Sequence, residues 1–401
     1  MIVVLYSFFN IGVKIIMKNV YLDNGATSFP KAPNVGESML NYIKNIGCNV
    51  NRGVYTSSLV AENIVFETRE LLCSLFNFNK PENVVFTKNI TESLNLLIKG
   101  LLQKGDHVIV SSMEHNAVMR PLTSLTKNGV EISKVSCDIF GQLNINDVIK
   151  EIKSNTRAVI MTNASNVCGT ILPLEEVGKL CRENDLIFII DAAQTAGFLD
   201  IDFEKIGADA IAFTGHKGLL GPQGIGGFLI KDSLIPKIQP FIEGGTGSLS
   251  EYEIQPSYMP DKYESGTINI PGIYGLNAAL KYIKKTSLSS IREKELFLTK
   301  LFIENALNLD YIRLVGLNTI TNRTSVVSLD FNKIDNAIVS LDLSNEHNIM
   351  TRCGLHCAPS AHKTLNTFPQ GTVRFSFGHF NTKKDIAYTI DALNKIIKKY
   401  K

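Results

Sequence analysis

Between residues 84 and 230, strand-length runs rich in apolar and β-branched residues alternate with amphipathic stretches long enough for helices. This alternation limits what the chain can fold into more than any other feature. The runs are VVFT (84–87), HVIVS (107–111), VEISKVS (130–136), RAVIM (157–161), LIFII (186–190) and ADAIAF (208–213), and GGFLI (226–230) closes the series. They predict an α/β fold with a large, doubly wound, mostly parallel sheet. A loop rich in Gly, Ser and Pro follows (243–272), and from 273 the pattern turns helix-rich, with weaker strands at SVVSLDF (325–331) and TVRFSF (372–377). The expected organisation is a large domain over 17–272 and a smaller C-terminal α+β domain over 273–401, with segment 17–33 packing on the small one. A chain of 401 residues, 44% hydrophobic and 20% charged, can build both cores.

The first sixteen residues, MIVVLYSFFNIGVKII, are apolar but lack a basic n-region and a cleavage site, and are too short to span a bilayer. Met17 opens MKNVYLDNGATSFP, so residues 1–16 are expected to be an upstream extension without a catalytic role, and no membrane is expected as partner. The formal charge of +3 and the absence of long basic runs argue against nucleic acid. Seven scattered cysteines without a CxxC pair indicate neither a disulfide framework nor a metal site, which favours a reducing, cytoplasmic compartment.

Open parallel sheets bind ligands beyond the carboxyl ends of their strands. Here those ends lead into KNITESLN, SMEHNAV, TNASNVCGT, DAAQTAG and TGHK, so Thr91, His115, Asn166, Asp191 and Lys217 converge on one rim. Lys217 stands in the glycine-rich turn TGHKGLLGPQG, where backbone can approach a ligand closely and an amine can form an imine with an aldehyde. Asp191 is either a helix cap or a carboxylate that keeps a pyridine nitrogen protonated. His115 is either a surface histidine or a ring stacked on a flat cofactor. Thr91 is either a plain helix cap or a phosphate ligand at a helix start.

The segments YLDNGATS, NITESLN, EHNAV, NASNVCGT, DAAQTAG, TGHKGLLGPQGIG, YESGTINIPG and RCGLHCAP stand in the order of the motifs of the cysteine desulfurase and selenocysteine lyase family, within the class V aminotransferases of fold type I. The chain resembles that family from Met17 to its C-terminus. The resemblance implies pyridoxal 5′-phosphate bound as a Schiff base to Lys217, with Asp191 on the pyridine nitrogen, Gln194 on the ring hydroxyl and His115 stacked on the ring. It implies Thr91, Thr214 and His216 on the phosphate, joined by Thr267 from the second subunit of a homodimer. It implies Arg374 on the substrate carboxylate with Asn166 and Arg52 beside it, and Cys357 as the nucleophile.

The expected reaction takes sulfur from L-cysteine, releases L-alanine and leaves a Cys357 persulfide for an acceptor protein. The alternatives are a selenocysteine β-lyase acting on L-selenocysteine, a C–S lyase that releases sulfide, and a non-catalytic sulfur-relay protein. Arg352 and His356 flank Cys357 as candidate activators of its thiolate. A buried hydrophobe is the expected role of Cys168, and an inert loop residue that of Cys353. Asn51 stands where relatives often carry histidine, so Arg52 carries over more safely than its neighbour.

Overall fold

A computed structural model describes residues 19–50, 53 and 55–401. The extension 1–16, Met17, Asn51 and Arg52 lie outside the described residues. The large sheet has seven strands: β1 (Val84–Thr87), β2 (His107–Ser111), β3 (Glu131–Val135), β4 (Thr156–Thr162), β5 (Ile187–Asp191), β6 (Ala210–Thr214) and β7 (Gly226–Ile230). They lie side by side in the order β1-β7-β6-β5-β4-β2-β3. All neighbours are parallel except β7, which runs antiparallel to both β1 and β6.

The inner strands are largely apolar because both faces are covered, whereas the edge strand β3 exposes Glu131 and Lys134. Ile109, Val159, Phe188, Ile190, Ile211 and Phe213 point into one core, while the alternating Val108, Ala158, Ile160, Ile189, Ala210 and Ala212 point into the other. This period of two follows from the pleat. Each fully buried Val, Ile or Phe among them contributes about 1.5–3 kcal/mol.

The first core is closed by helices that include Thr56–Phe76 and Ile270–Thr286. The division expected at residue 273 therefore falls inside a helix whose Ile273, Leu276, Leu280 and Ile283 belong to the large-sheet core. The next helix, Leu288–Ala306, sends Leu298 and Phe302 into a separate core.

That separate core backs a four-stranded antiparallel sheet, β8 (Ile312–Val315), β9 (Val326–Phe331), β10 (Arg352–Gly354) and β11 (Thr372–Ser376), in the order β10-β11-β9-β8. Val327, Leu329, Val373 and Phe375 face the core. Their alternates Ser328, Thr372, Arg374 and Ser376 are also buried, on the opposite face, which turns toward the large unit. Thus Ser328 Oγ donates to the carbonyl of Val167 (2.7 Å) and Ser376 Oγ accepts from Gly25 N (2.7 Å). The N-terminal strand Val20–Tyr21 pairs in parallel with Ile349–Met350, which carries Asp23 to the edge of the small sheet.

Arg323 stitches the units together on one side. It is fully buried and donates to the carbonyls of Leu317, Cys168 (3.3 Å) and Val326 (2.6 Å). Thr324 N adds a bond to Gly169 O (2.8 Å). Among the described residues no helix is long and apolar enough to cross a membrane.

Candidate active site

Asp191 is the last residue of β5 and Thr214 the last of β6, so the strands themselves set both side chains at the carboxyl edge of the sheet. Lys217 follows in a turn closed by Gly221 N→Gly215 O (2.8 Å) and Leu220 N→Lys217 O (2.8 Å). This turn lies directly on the 195–197 turn: a Cβ on Gly218 would meet Ala196 O at 2.5 Å, and one on Gly197 would meet Gly218 O at 2.2 Å. Glycine is required there because two backbones touch.

Lys217 is half-buried and lines a small cavity between the two units with Gly25, Gln194 and Ser376. Burial strips its ammonium of much of its water and lowers its pKa to about 8, against the pull of Asp191; Arg374 and Arg352 lower it further. Asp191 is buried and accepts from Ala193 N (2.9 Å). Burial raises its pKa, opposed by that hydrogen bond and by Lys217. Gln194 Nε2 donates to Gly25 O (3.1 Å).

Three polar atoms near this turn are buried without a partner: Thr214 Oγ1, His216 Nδ1 and Thr195 Oγ1. Leaving such groups unpaired costs about 1–3 kcal/mol each, so they fit a ligand rich in hydrogen-bonding oxygens. Thr195 was not anticipated; its signal was the threonine inside DAAQTAG.

His115 caps helix Asn116–Thr126, its Nδ1 accepting from Ala117 N (3.0 Å), which leaves the ring proton on Nε2. Burial, then Lys217 and Arg352, depress its pKa to about 4, so the ring is neutral. His216 is likewise held down to about 4, by burial and then Lys217. Thr91 is exposed in the first turn of helix Ile90–Leu101, and the cap of that helix is Asn89, whose side chain accepts from Glu92 N. Thr91 shares a cavity with His115 and Cys357. Thr267 is exposed and lines a different cavity with Lys88 and Glu92, so within one chain it does not join the Lys217 cluster.

Arg374 is buried under the cleft. Its Nη2 donates to Asp23 Oδ1 (2.8 Å) and its Nη1 to the carbonyl of Asn166 (3.1 Å), while its Nε is buried without a partner. Burial keeps its pKa below the usual guanidinium value. Asn166 Nδ2 in turn donates to His356 O (2.7 Å), which ties the Arg374 site to the Cys357 turn.

In that turn His356 and Cys357 both adopt positive φ, 46° and 57°, a backbone that side-chain-bearing residues rarely take. The turn presents Cys357 to solvent. Cys357 O accepts from Asn116 N (2.8 Å), and its Sγ stands 3.9 Å from an Arg352 Nη. The two flanking residues therefore differ. Arg352 reaches the thiol, whereas His356 is buried against Thr372 Oγ1 (3.1 Å), and burial, then Arg374, lowers its pKa to about 2. A neutral imidazole turned inward is not the cation beside Cys357. Cys353 is half-buried on β10, and Cys168 is fully buried with Sγ 3.3 Å from Thr170 Oγ1.

Buried Glu114 and half-buried Lys31 have no place in the sequence reading. Glu114 accepts from Ser111 Oγ and Thr162 N (2.9 Å), and burial raises its pKa to about 8. Lys31 donates only to neutral oxygens, among them His216 O (2.9 Å) next to Lys217, and burial lowers it to about 8. Among the described residues no group of three or more His, Cys, Asp or Glu side chains could hold a metal ion.

The family model Aminotransferase class-V matches residues 20–388 of this chain. The chain belongs to that family, and within it to the cysteine desulfurases. It is 35% identical over 386 residues to a "Probable cysteine desulfurase" of Pyrococcus abyssi, covering 94% of each chain. It is 32% identical over 388 residues to one of Methanothermobacter thermautotrophicus, covering 96% of each. Its fold superposes on the apo structure of cysteine desulfurase from Thermococcus onnurineus NA1 with a TM-score of 0.88 at 33% identity, covering 95% of each chain. The cysteine desulfurase CsdA of Escherichia coli gives 0.86 at 26%, covering 96% of each.

Proposed function

We propose that this chain is a pyridoxal 5′-phosphate-dependent cysteine desulfurase that moves the sulfur of L-cysteine onto Cys357 and releases L-alanine. The observation that carries the reading is an exposed thiol beside Arg352, tied through His356 and Asn166 to a buried arginine with a spare donor. Thr214, His216 and Thr91 would hold the phosphate, Asp191 the ring nitrogen, Gln194 the ring hydroxyl, and His115 the ring face, with Lys217 as the covalent anchor. When bound, the cofactor supplies an electron sink next to the substrate's Cα.

The side chains do the rest. Arg374, through its free Nε, and Asn166 orient the substrate carboxylate. Lys217, partly neutral at pH near 8, takes and returns the proton at Cα. The Cys357 thiolate, with Arg352 beside it, attacks the substrate sulfur, so the Cβ–S bond breaks as an S–S bond forms on Cys357. Alanine leaves with the carbon skeleton, and atoms balance without an external oxidant. The direct test supplies L-cysteine to the purified protein and measures alanine, sulfide and protein-bound persulfide together. Alanine with an equivalent of Cys357 persulfide supports the reading, and sulfide without persulfide replaces it with a C–S lyase.

The lowered Lys217 pKa has a pH signature. After cofactor removal, the rate at which Lys217 captures pyridoxal 5′-phosphate should rise through a midpoint near pH 8, since only the neutral amine reacts. A midpoint at the ordinary lysine value, about 10.4, would show that burial does not act on this amine.

The protein is also proposed to work as a homodimer. Exposed Leu59, Val60 and Phe66 on helix Thr56–Phe76, and Phe241, Tyr252 and Ile254 in the loop region after the large sheet, are apolar side chains that a partner subunit would cover. Thr267 lies just beyond that loop, where it can serve a partner's phosphate site. Sedimentation at assay concentration should give twice the chain mass of 44.3 kDa, and an active monomer would contradict the assignment. Seven free cysteines support a reducing, cytoplasmic setting.

A further inference from the structure

Cys357 stands at the head of a groove between two helices, beside Thr91 and His115 of the proposed cofactor site. One wall is the row Thr91, Asn95, Lys99 on Ile90–Leu101, and the other is Asn116, Arg120, Ser124 on Asn116–Thr126. A spacing of four keeps each row on one helical face. The head is fixed by the bond from Asn116 N to Cys357 O.

The lining carries two cations and no carboxylate. Among the described residues neither Lys99 nor Arg120 has an acidic partner; Lys99 rests over the Phe241 ring, 5.0 Å from its centroid. The acids on the same stretch are engaged elsewhere, Glu92 with Lys88 N (2.6 Å) and Glu114 with Ser111 and Thr162. His115, the remaining titratable group of the lining apart from Cys357, is neutral.

We propose that this groove receives an extended, acidic segment of the sulfur-acceptor protein, its carboxylates on Lys99 and Arg120 and its cysteine at Cys357. The inference rests on the desulfurase reading. Lys99 lies about 12 Å along its helix from Thr91 at 1.5 Å per residue, and an extended chain covers about 3.3–3.6 Å per residue. Several residues of an acceptor therefore flank the thiol, more than a small free thiol spans. In the transfer, the acceptor thiolate attacks the outer sulfur of the Cys357 persulfide. A new S–S bond forms on the acceptor, the old one breaks, and Cys357 leaves as a thiolate beside Arg352.

The test uses the holoenzyme and the double variant Lys99→Gln/Arg120→Gln, in two arms. In the first, Cys357 is alkylated with iodoacetate or iodoacetamide and the products are resolved by mass spectrometry. The preference for the anionic reagent should fall several-fold in the variant and in high salt. An unchanged ratio overturns the proposal, whatever the reaction of the enzyme.

In the second arm, persulfide-loaded protein meets a peptide whose cysteine is flanked by glutamates, the same peptide with glutamines, or mercaptosuccinate. Wild type should transfer sulfur to the acidic peptide about ten-fold faster than to the neutral one. The variant should lose that advantage while its first-turnover alanine and persulfide stay unchanged. Equal rates for the two peptides, or mercaptosuccinate as fast as the acidic peptide, overturn the proposal. Failure to load any persulfide from L-cysteine sinks the desulfurase reading instead, and the alkylation arm still reports on the charge of the groove.

Discussion

Cys357→Ala is expected to cut alanine formation from L-cysteine by orders of magnitude while the visible absorption of the bound cofactor stays in place. The proposed step needs a nucleophile on the protein, and Cys357 is the exposed thiol of the seven cysteines. Its side chain holds no buried network: the partner of Sγ is Arg352 at 3.9 Å, and the bond to Asn116 uses the backbone. Stability should therefore change by no more than about 0.5 kcal/mol, as for an ordinary surface substitution. Cys353→Ala should cost far less activity, because that thiol is half-buried in strand β10. L-selenocysteine turnover should outlast the Cys357 change, since selenium departs without a nucleophile's help. Unchanged desulfuration in Cys357→Ala would leave only direct elimination.

Lys217→Ala is the second large effect: both the cofactor absorption band and all turnover should vanish, with the band returning only when an external amine is supplied. The loss is chemical before it is structural. The turn that carries Lys217 is held by backbone bonds and by the close approach of Gly197 and Gly218, so it survives removal of the side chain. What disappears is an amine that burial has made partly neutral and that pulls the pKa of Asp191 down. Retention of the band in the alanine variant would mean that the cofactor, or its anchor, has been misassigned.

The strands were the most legible part of the chain. Continuous apolar runs such as VVFT and HVIVS became strands with the expected bounds, because burial on both faces leaves little choice of residue. Less legible was anything set by a partner distant in sequence. Helix Ile270–Thr286 reads as the start of a new unit, yet its apolar face belongs to the old core. Asp23 gives no local sign that it will face Arg374, because the two meet only after the N-terminal segment crosses to the small sheet. Glu114 sits next to His115, and one of its partners, Thr162 N on strand β4, lies far away in sequence. His356 was placed with Arg352 as a flank of Cys357. Two successive positive φ values rotate it inward, a backbone state that no residue type in RCGLHCAP announces.

Arg323 gives the cleft an asymmetric mechanical character. Its guanidinium, with Ser328 and Thr324, sews the segment around residues 166–170 to strand β9, and the charge that would be stranded by separation has no carboxylate to follow it. One lip of the cleft is thus welded. The Cys357 turn leans on the large unit through the backbone bond to Asn116 and the Asn166 amide. Local opening is therefore expected first at the Cys357 turn, which has fewer ties to the large unit than the Arg323 seam.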